Sequence, residues 1–145
     1  MQHQSSIDIE APAATIYALY QDVARWNTWD PDTRSAWLDG PFGVGARGKL
    51  VPTRGRPVPL CITQATENRS FTARCAIPGF CMDFVHELTP LSTGTRVVQR
   101  LETSGFLGFL LNPVIGPQVR EGFPKTLAAL KQLAESQHAG DRVTR

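Results

Sequence analysis

The stretch 117–136 limits the fold more than any other part of the chain. Val119, Phe123, Leu127, Leu130 and Ala134 follow one another at spacings of four, four, three and four, which sets them along one side of a helix. Arg120, Glu121, Lys125, Lys131, Gln132 and Glu135 fill the other side and belong in water. Pro117 suits a first helical position, where its missing N–H costs nothing. Such a helix is about 30 Å long, the width of a small domain. One helix with a broad apolar face needs a second layer, and the rest of the chain supplies strands. Pro124, two residues after Gly122, removes the bond to the Arg120 carbonyl and predicts a kink. A kinked helix over a curved sheet cannot close flush, so a cavity is expected beside Phe123.

The strands come in short, regular runs. Residues 6–10 alternate polar and apolar, and Pro12 opens a helix with Ile16, Leu19 and Val23 on one face. Asp30-Pro31 stops the segment that carries Trp26 and Trp29, and residues 34–38 read as a strand. Runs at 58–66, 71–76, 80–88 and 95–103 are bounded by Pro, Gly or Asn with no helix between them, which predicts an antiparallel meander. In the third run Met82, Phe84, His86 and Leu88 share one face, with Cys81, Asp83, Val85 and Glu87 on the other. In the fourth, Val97, Gln99, Leu101 and Thr103 oppose Arg96, Val98, Arg100 and Glu102. The faces with Met82 and Val97 are the more apolar and should look toward the helix. Residues 106–116 read as a short helix or lid, and residues 137–145 as a frayed tail beyond a single domain over 1–136.

The bulk numbers remove several function classes. A length of 145 residues suits one domain with a real core. A net charge of +2 with dispersed basic residues argues against a nucleic-acid partner. The most apolar run, from Gly105 to Ile115, has about eleven residues where a spanning helix needs about twenty, so no stable membrane insertion is expected. An odd count of three Cys and no visible leader at the N-terminus predict a cytoplasmic protein.

Gly43-Val44-Gly45-Ala46-Arg47-Gly48 matches the G-x-G-x-x-G dinucleotide pattern by letter. That pattern works only where a helix begins within it, and here Lys49-Leu50-Val51-Pro52 reads as a strand. A glycine-rich turn is the expectation, and no cofactor is implied. Cys61, Cys75 and Cys81 with His86 have none of the paired zinc spacings, so no metal is implied either.

Three stretches carry a family resemblance. Ile9-Glu10-Ala11-Pro12 with Asp22-Val23-Ala24-Arg25-Trp26-Asn27-Thr28-Trp29-Asp30-Pro31 is the first. His86-Glu87-Leu88-Thr89-Pro90 with Gly94-Thr95-Arg96-Val97 is the second, and the closing helix around Glu121-Gly122-Phe123 is the third. In these the chain resembles the polyketide cyclase/dehydrase branch of the START-like superfamily, which also holds lipid-transfer domains and pollen allergens. The resemblance implies an α+β helix-grip fold: a curved antiparallel meander wrapped round a long C-terminal helix, with two short helices after the first strand. It implies a cavity rather than a catalytic signature.

The candidate site follows from both readings. Phe84, Val97, Leu101, Phe123 and Leu127 form an apolar wall, His86, Gln99 and Thr103 are the polar handles, and Trp29 lines the mouth or plugs one end of the core. The expected partner is a small hydrophobic molecule, polyketide-, lipid- or quinone-like, with a homodimer left open. One alternative is a cyclase or dehydratase in which His86 shuttles a proton with Gln99 as its hydrogen-bonding neighbour. Another is a protein-interaction module with a filled core and an exposed apolar patch. Trp26 and Trp37 are expected to pack, and Asp83 and Glu87 to be solvated.

Overall fold

The structure, a computed structural model, describes residues 1–143. Its elements are β1 (Gln2–Ile9), α1 (Ala13–Gln21), a 3-10 helix (Val23–Thr28), β2 (Thr33–Leu38), β3 (Arg47–Pro52), β4 (Val58–Thr66), β5 (Ser70–Ile77), β6 (Phe80–Leu91), β7 (Gly94–Ser104) and α2 (Gly108–Val143). The seven strands form one antiparallel sheet in the order β1-β7-β6-β5-β4-β3-β2. β2 to β7 are thus a meander, and β1 closes it beside β7, with Ile7 opposite Val97 and Ile9 opposite Thr95. The helix-grip layout expected from the sequence is the observed one.

Alternation decides which face is core. On β5, Phe71, Ala73 and Cys75 are buried, and on β7, Thr95, Val97, Gln99 and Leu101. The other face of the sheet carries ion pairs, Arg74–Asp83, Arg96–Asp8 and Arg100–Glu87 between neighbouring strands and Arg100–Glu102 along β7. Asp83 and Glu87, expected to be solvated, are therefore paired on that outer face.

α2 packs on β1 and β7 and against α1. It differs from the expected helix in length. It starts at Gly108, so the segment read as a separate lid (106–116) is mostly its first turns, and it runs unbroken through Pro113, Pro117 and Pro124 to Val143. The tail read as frayed is helical as far as it is described; Thr144 and Arg145 lie outside the described residues. All three prolines are exposed, as are Phe109, Pro113 and Arg120, whose carbonyls lose their partners four residues on. Water can take up those carbonyls, so the missing bonds do not end the helix. A bend at an exposed proline is convex toward solvent and carries the helix toward the sheet. A bend at Pro124 would on this geometry press α2 onto the sheet rather than lift it away.

Gly122 has a different use. A β-carbon there would run into the Asp32 carboxylate, so glycine lets α2 approach the loop after the 3-10 helix. Asp30 fastens the same junction, accepting from the Asp32 backbone N–H (3.0 Å), the Thr33 hydroxyl (2.9 Å) and the Thr126 hydroxyl on α2 (3.2 Å).

Candidate functional site

The inward face of β6 carries Phe80, Met82, Phe84, His86 and Leu88. The register sets His86 opposite Phe71 on β5 and opposite Gln99 on β7. The imidazole lies flat on the Phe71 ring, 4.1 Å between centroids and 3° between planes. Tyr20 closes over both, 5.1 Å from His86 and 4.8 Å from Phe71, and Trp29 meets Tyr20 at 5.7 Å. Tyr20 arrives there because it follows Ile16 by one helical turn; the buried face of α1 is Ile16, Tyr17 and Tyr20, with Leu19 half-buried against the core and Val23 buried at the start of the 3-10 helix. Trp29 is buried, and so is Trp26, whose Nε1 donates to the Tyr20 carbonyl at 2.9 Å. Trp37, expected to pack, is 40% exposed, because alternation on β2 buries Ala36 and turns its neighbour outward.

These side chains leave four polar atoms buried without a hydrogen-bond partner: Tyr20 Oη, Trp29 Nε1, His86 Nδ1 and Gln99 Oε1. They belong to a continuous row, Trp29 against Tyr20, Tyr20 against His86, and His86 beside Gln99. Each unmet buried polar group costs about 1–3 kcal/mol, so four in one row is a large local debt for a small domain. The expected bond between His86 and Gln99 is not made by the Nδ1 and Oε1 atoms. Burial pushes the His86 pKa down to about 4, against backbone hydrogen bonding at Phe71 and Phe84, which raises it. The ring is therefore neutral near pH 7. Burial also drives the Tyr20 phenol far above its ordinary value, so it too is neutral. Desolvation raises the Asp30 carboxyl, beyond Trp29, despite its three hydrogen bonds.

Next to this row the interior divides. The main cluster includes Phe71, Ala73, Val97, Leu127 and Leu130; a smaller one holds Leu101, Val119 and Phe123. Met82 and Phe84 touch both, and both are only half-buried although their face looks inward and Phe80, His86 and Leu88 on the same face are buried. Phe84 faces Phe123 at 6.4 Å between ring centroids. The seam between helix and sheet thus leaves Met82 and Phe84 incompletely covered. The expected apolar wall is split across it, with Leu101 and Phe123 on one side and Val97 and Leu127 on the other. Thr103 stands apart from the polar row: its hydroxyl is engaged with Asn112 Oδ1 at 2.8 Å. Two surface depressions of about 300 Å³ each lie at the opposite end, around Pro12 and His138, and neither touches a residue of the seam.

The other motifs resolve simply. Cys75 pairs with Met82 and Ala76 with Cys81, so the two cysteines sit one register position apart on opposite faces. Burial pushes the Cys75 thiol up to about 12. Among the described residues no group of three or more His, Cys, Asp or Glu could hold a metal ion. In the glycine motif β3 begins at Arg47, so no helix N-terminus faces a phosphate. Gly45 sits at φ 89° in the turn, and a β-carbon on Gly48 would strike the backbone carbonyl of Trp37. No helix among the described residues is long and apolar enough to cross a membrane.

The row and the seam were only partly legible beforehand. His86, Gln99, Phe84 and Phe123 follow from strand and helix periodicity. Tyr20 was missed because an apolar count along α1 passes over tyrosine, although its spacing of four from Ile16 marks it.

Comparison with known proteins bears on the fold and the family. The family model described as "Polyketide cyclase / dehydrase and lipid transport" matches residues 2–135. Protein NE0264 of Nitrosomonas europaea has a similar structure, with a TM-score of 0.75 at 18% identity over 96% of this chain and 97% of that one. The di-domain ARO/CYC StfQ from the steffimycin biosynthetic pathway is similar with a TM-score of 0.77 at 10% identity, over 96% of this chain and 51% of that one. Ara h 8.0201 is similar with a TM-score of 0.72 at 12% identity, over 94% and 98%. At these identities the likeness is one of fold. No curated protein matches the chain.

Proposed function

Since the chain belongs to the polyketide cyclase/dehydrase and lipid transport family, we propose that it binds a small, mostly hydrophobic molecule between the sheet and α2. The observation that supports this most is the incompletely covered seam: Met82 and Phe84 remain half-buried on an inward face whose neighbours are closed. Ligand sites are largely apolar with a few placed polar groups, and the row from Trp29 to Gln99 supplies those groups at one end. Phe84, Leu101 and Phe123 form the apolar walls. As a proton shuttle His86 is poorly matched, since a pKa of about 4 is far from neutral pH and the neighbouring Tyr20 phenol is driven far above it by burial. The cyclase alternative would therefore act by folding its substrate, with His86 as a neutral hydrogen-bonding group.

One observation favours the interaction module. Phe106 (76% exposed) and Phe109, Leu110 and Val114 on the first turns of α2 make an apolar surface. A filled interior is the other requirement of that reading, and the incompletely covered seam weighs against it. Thermal shift and native mass spectrometry against hydroxylated aromatics, fatty acids and quinones separate the two. A bound species that raises Tm and is lost in Phe123→Ala supports the binding module. No bound species and no shift across the panel refutes it.

A further inference from the structure

The four unpartnered atoms differ in what they can accept. Trp29 Nε1 can only donate, and Gln99 Oε1 can only accept. Tyr20 Oη and His86 Nδ1 can do either. A ligand group that meets the whole row must therefore offer an acceptor to Trp29 and a donor to Gln99. A carboxylate has no donor, and a ketone or quinone has none either.

Charge points the same way. Among the described residues the lysines and arginines of the elements around the row are turned outward; His3 on β1 is not, its ring lying 5.7 Å from Phe123 and its Nε2 3.5 Å from the Ser5 hydroxyl. Arg74 pairs with Asp83, Arg96 with Asp8, and Arg100 with Glu87 and Glu102 on the outer face. Lys125 pairs with Glu121 and Lys131 with Glu135, while Arg25 and Arg120 are exposed. Next to the row in the chain, Glu87 and Arg100 pair with each other on the outer face, and Asp30 beside Trp29 is an acid. An anion placed at the row would lose its water and gain no lysine or arginine in exchange.

We propose that the ligand's buried pole is neutral and both donates and accepts, a hydroxyl alone or beside a carbonyl, held among Tyr20, Trp29, His86 and Gln99. This rests on the binding reading above and narrows it. The apolar body of the ligand then lies along Met82 and Phe84 toward Phe123, with the hydroxyl innermost. Fatty-acid carboxylates and fully oxidised quinones are poor ligands on this account, although their apolar parts would suit the seam.

A matched set with one aromatic body tests it: 2-naphthol, 2-methoxynaphthalene, 2-naphthoate and 2-methylnaphthalene, titrated at pH 7 by calorimetry or NMR. The expected order puts 2-naphthol about tenfold or more ahead of the methoxy compound and the carboxylate, the size of one net hydrogen bond or one desolvated charge. Gln99→Leu and Trp29→Phe should bring 2-naphthol down toward the affinity of 2-methylnaphthalene measured on the same variant. Should either variant fail to fold, the ranking on the unaltered protein still decides. Naphthoate or the methoxy compound binding as tightly as naphthol would overturn the neutral donor–acceptor pole and leave the binding function intact. A structure of the naphthol complex in which the four atoms meet only water would overturn it equally. Failure of all four compounds to bind would instead remove the binding function itself.

Discussion

Acidification should destabilise this protein through His86, and the size of the effect can be worked from its burial. Unfolded, the imidazole titrates near 6.5; folded, near 4. Above pH 6.5 both states hold it neutral and it contributes no pH dependence. As pH falls from 6.5 toward 4, the unfolded chain takes up a proton that the folded chain refuses, so stability drops with pH and levels off below about 4. At about 1.4 kcal/mol per pKa unit, the whole loss is on the order of 3 kcal/mol, a large share of a small domain's stability. Asp30 works in the opposite sense, because its folded pKa is raised: the folded state binds its proton first and gains stability as pH falls toward 3.8. A His86→Leu variant isolates the first effect, since Asp30 is common to both proteins. Urea midpoints at pH 7.5, 6.5, 5.5 and 4.5 should fall steeply for the unaltered protein and much less for the variant. Equal slopes, or a flat profile down to pH 5, would refute the buried neutral imidazole.

Three substitutions test other parts of the account. Gly48→Ala should cost about 2 kcal/mol or more in chemical denaturation, because the new β-carbon meets the backbone carbonyl of Trp37, which cannot turn aside; a neutral result would mean that the glycine motif has some other purpose. Phe123→Ala removes a buried ring from the smaller cluster and should cost about 3 kcal/mol, with Tm as the readout. Thr126→Val breaks the hydroxyl contact between α2 and Asp30 and should cost about 1 kcal/mol by urea denaturation, leaving ligand affinity unchanged.

The fold was readable in this sequence because two periods carried it. Alternation at 80–88 and 95–103 named the inward faces of β6 and β7, and the three-and-four spacing from Val119 to Ala134 named the buried side of α2. Local propensity failed where packing outweighed it. Pro117 reads as a first helical position and 106–116 as a short helix or lid, yet Pro113 and Pro117 both face water, so one helix runs through them from Gly108. Pro124 faces water, where a bend would carry the helix toward its sheet, so the cavity expected beside Phe123 does not follow from that proline. The incomplete cover is instead at Met82 and Phe84, and nothing in their spacing distinguishes them from the buried His86 and Leu88. The polar row was out of reach for a different reason. Its members come from α1, the 3-10 turn, β6 and β7, and only the folded chain shows that Trp29, Tyr20, His86 and Gln99 meet with their polar atoms unpartnered.

The central claim is that a hydrophobic ligand enters the seam at Met82. The chain has two methionines, and Met1 is 37% exposed, with its sulfur near Gly116 on α2. Methyl-labelled methionine therefore gives two NMR signals with separate meanings. On titration with 2-naphthol, the Met82 methyl should shift and saturate while Met1 stays largely in place. A Met82 signal that does not move while the ligand is shown to bind would place the site elsewhere and contradict the account.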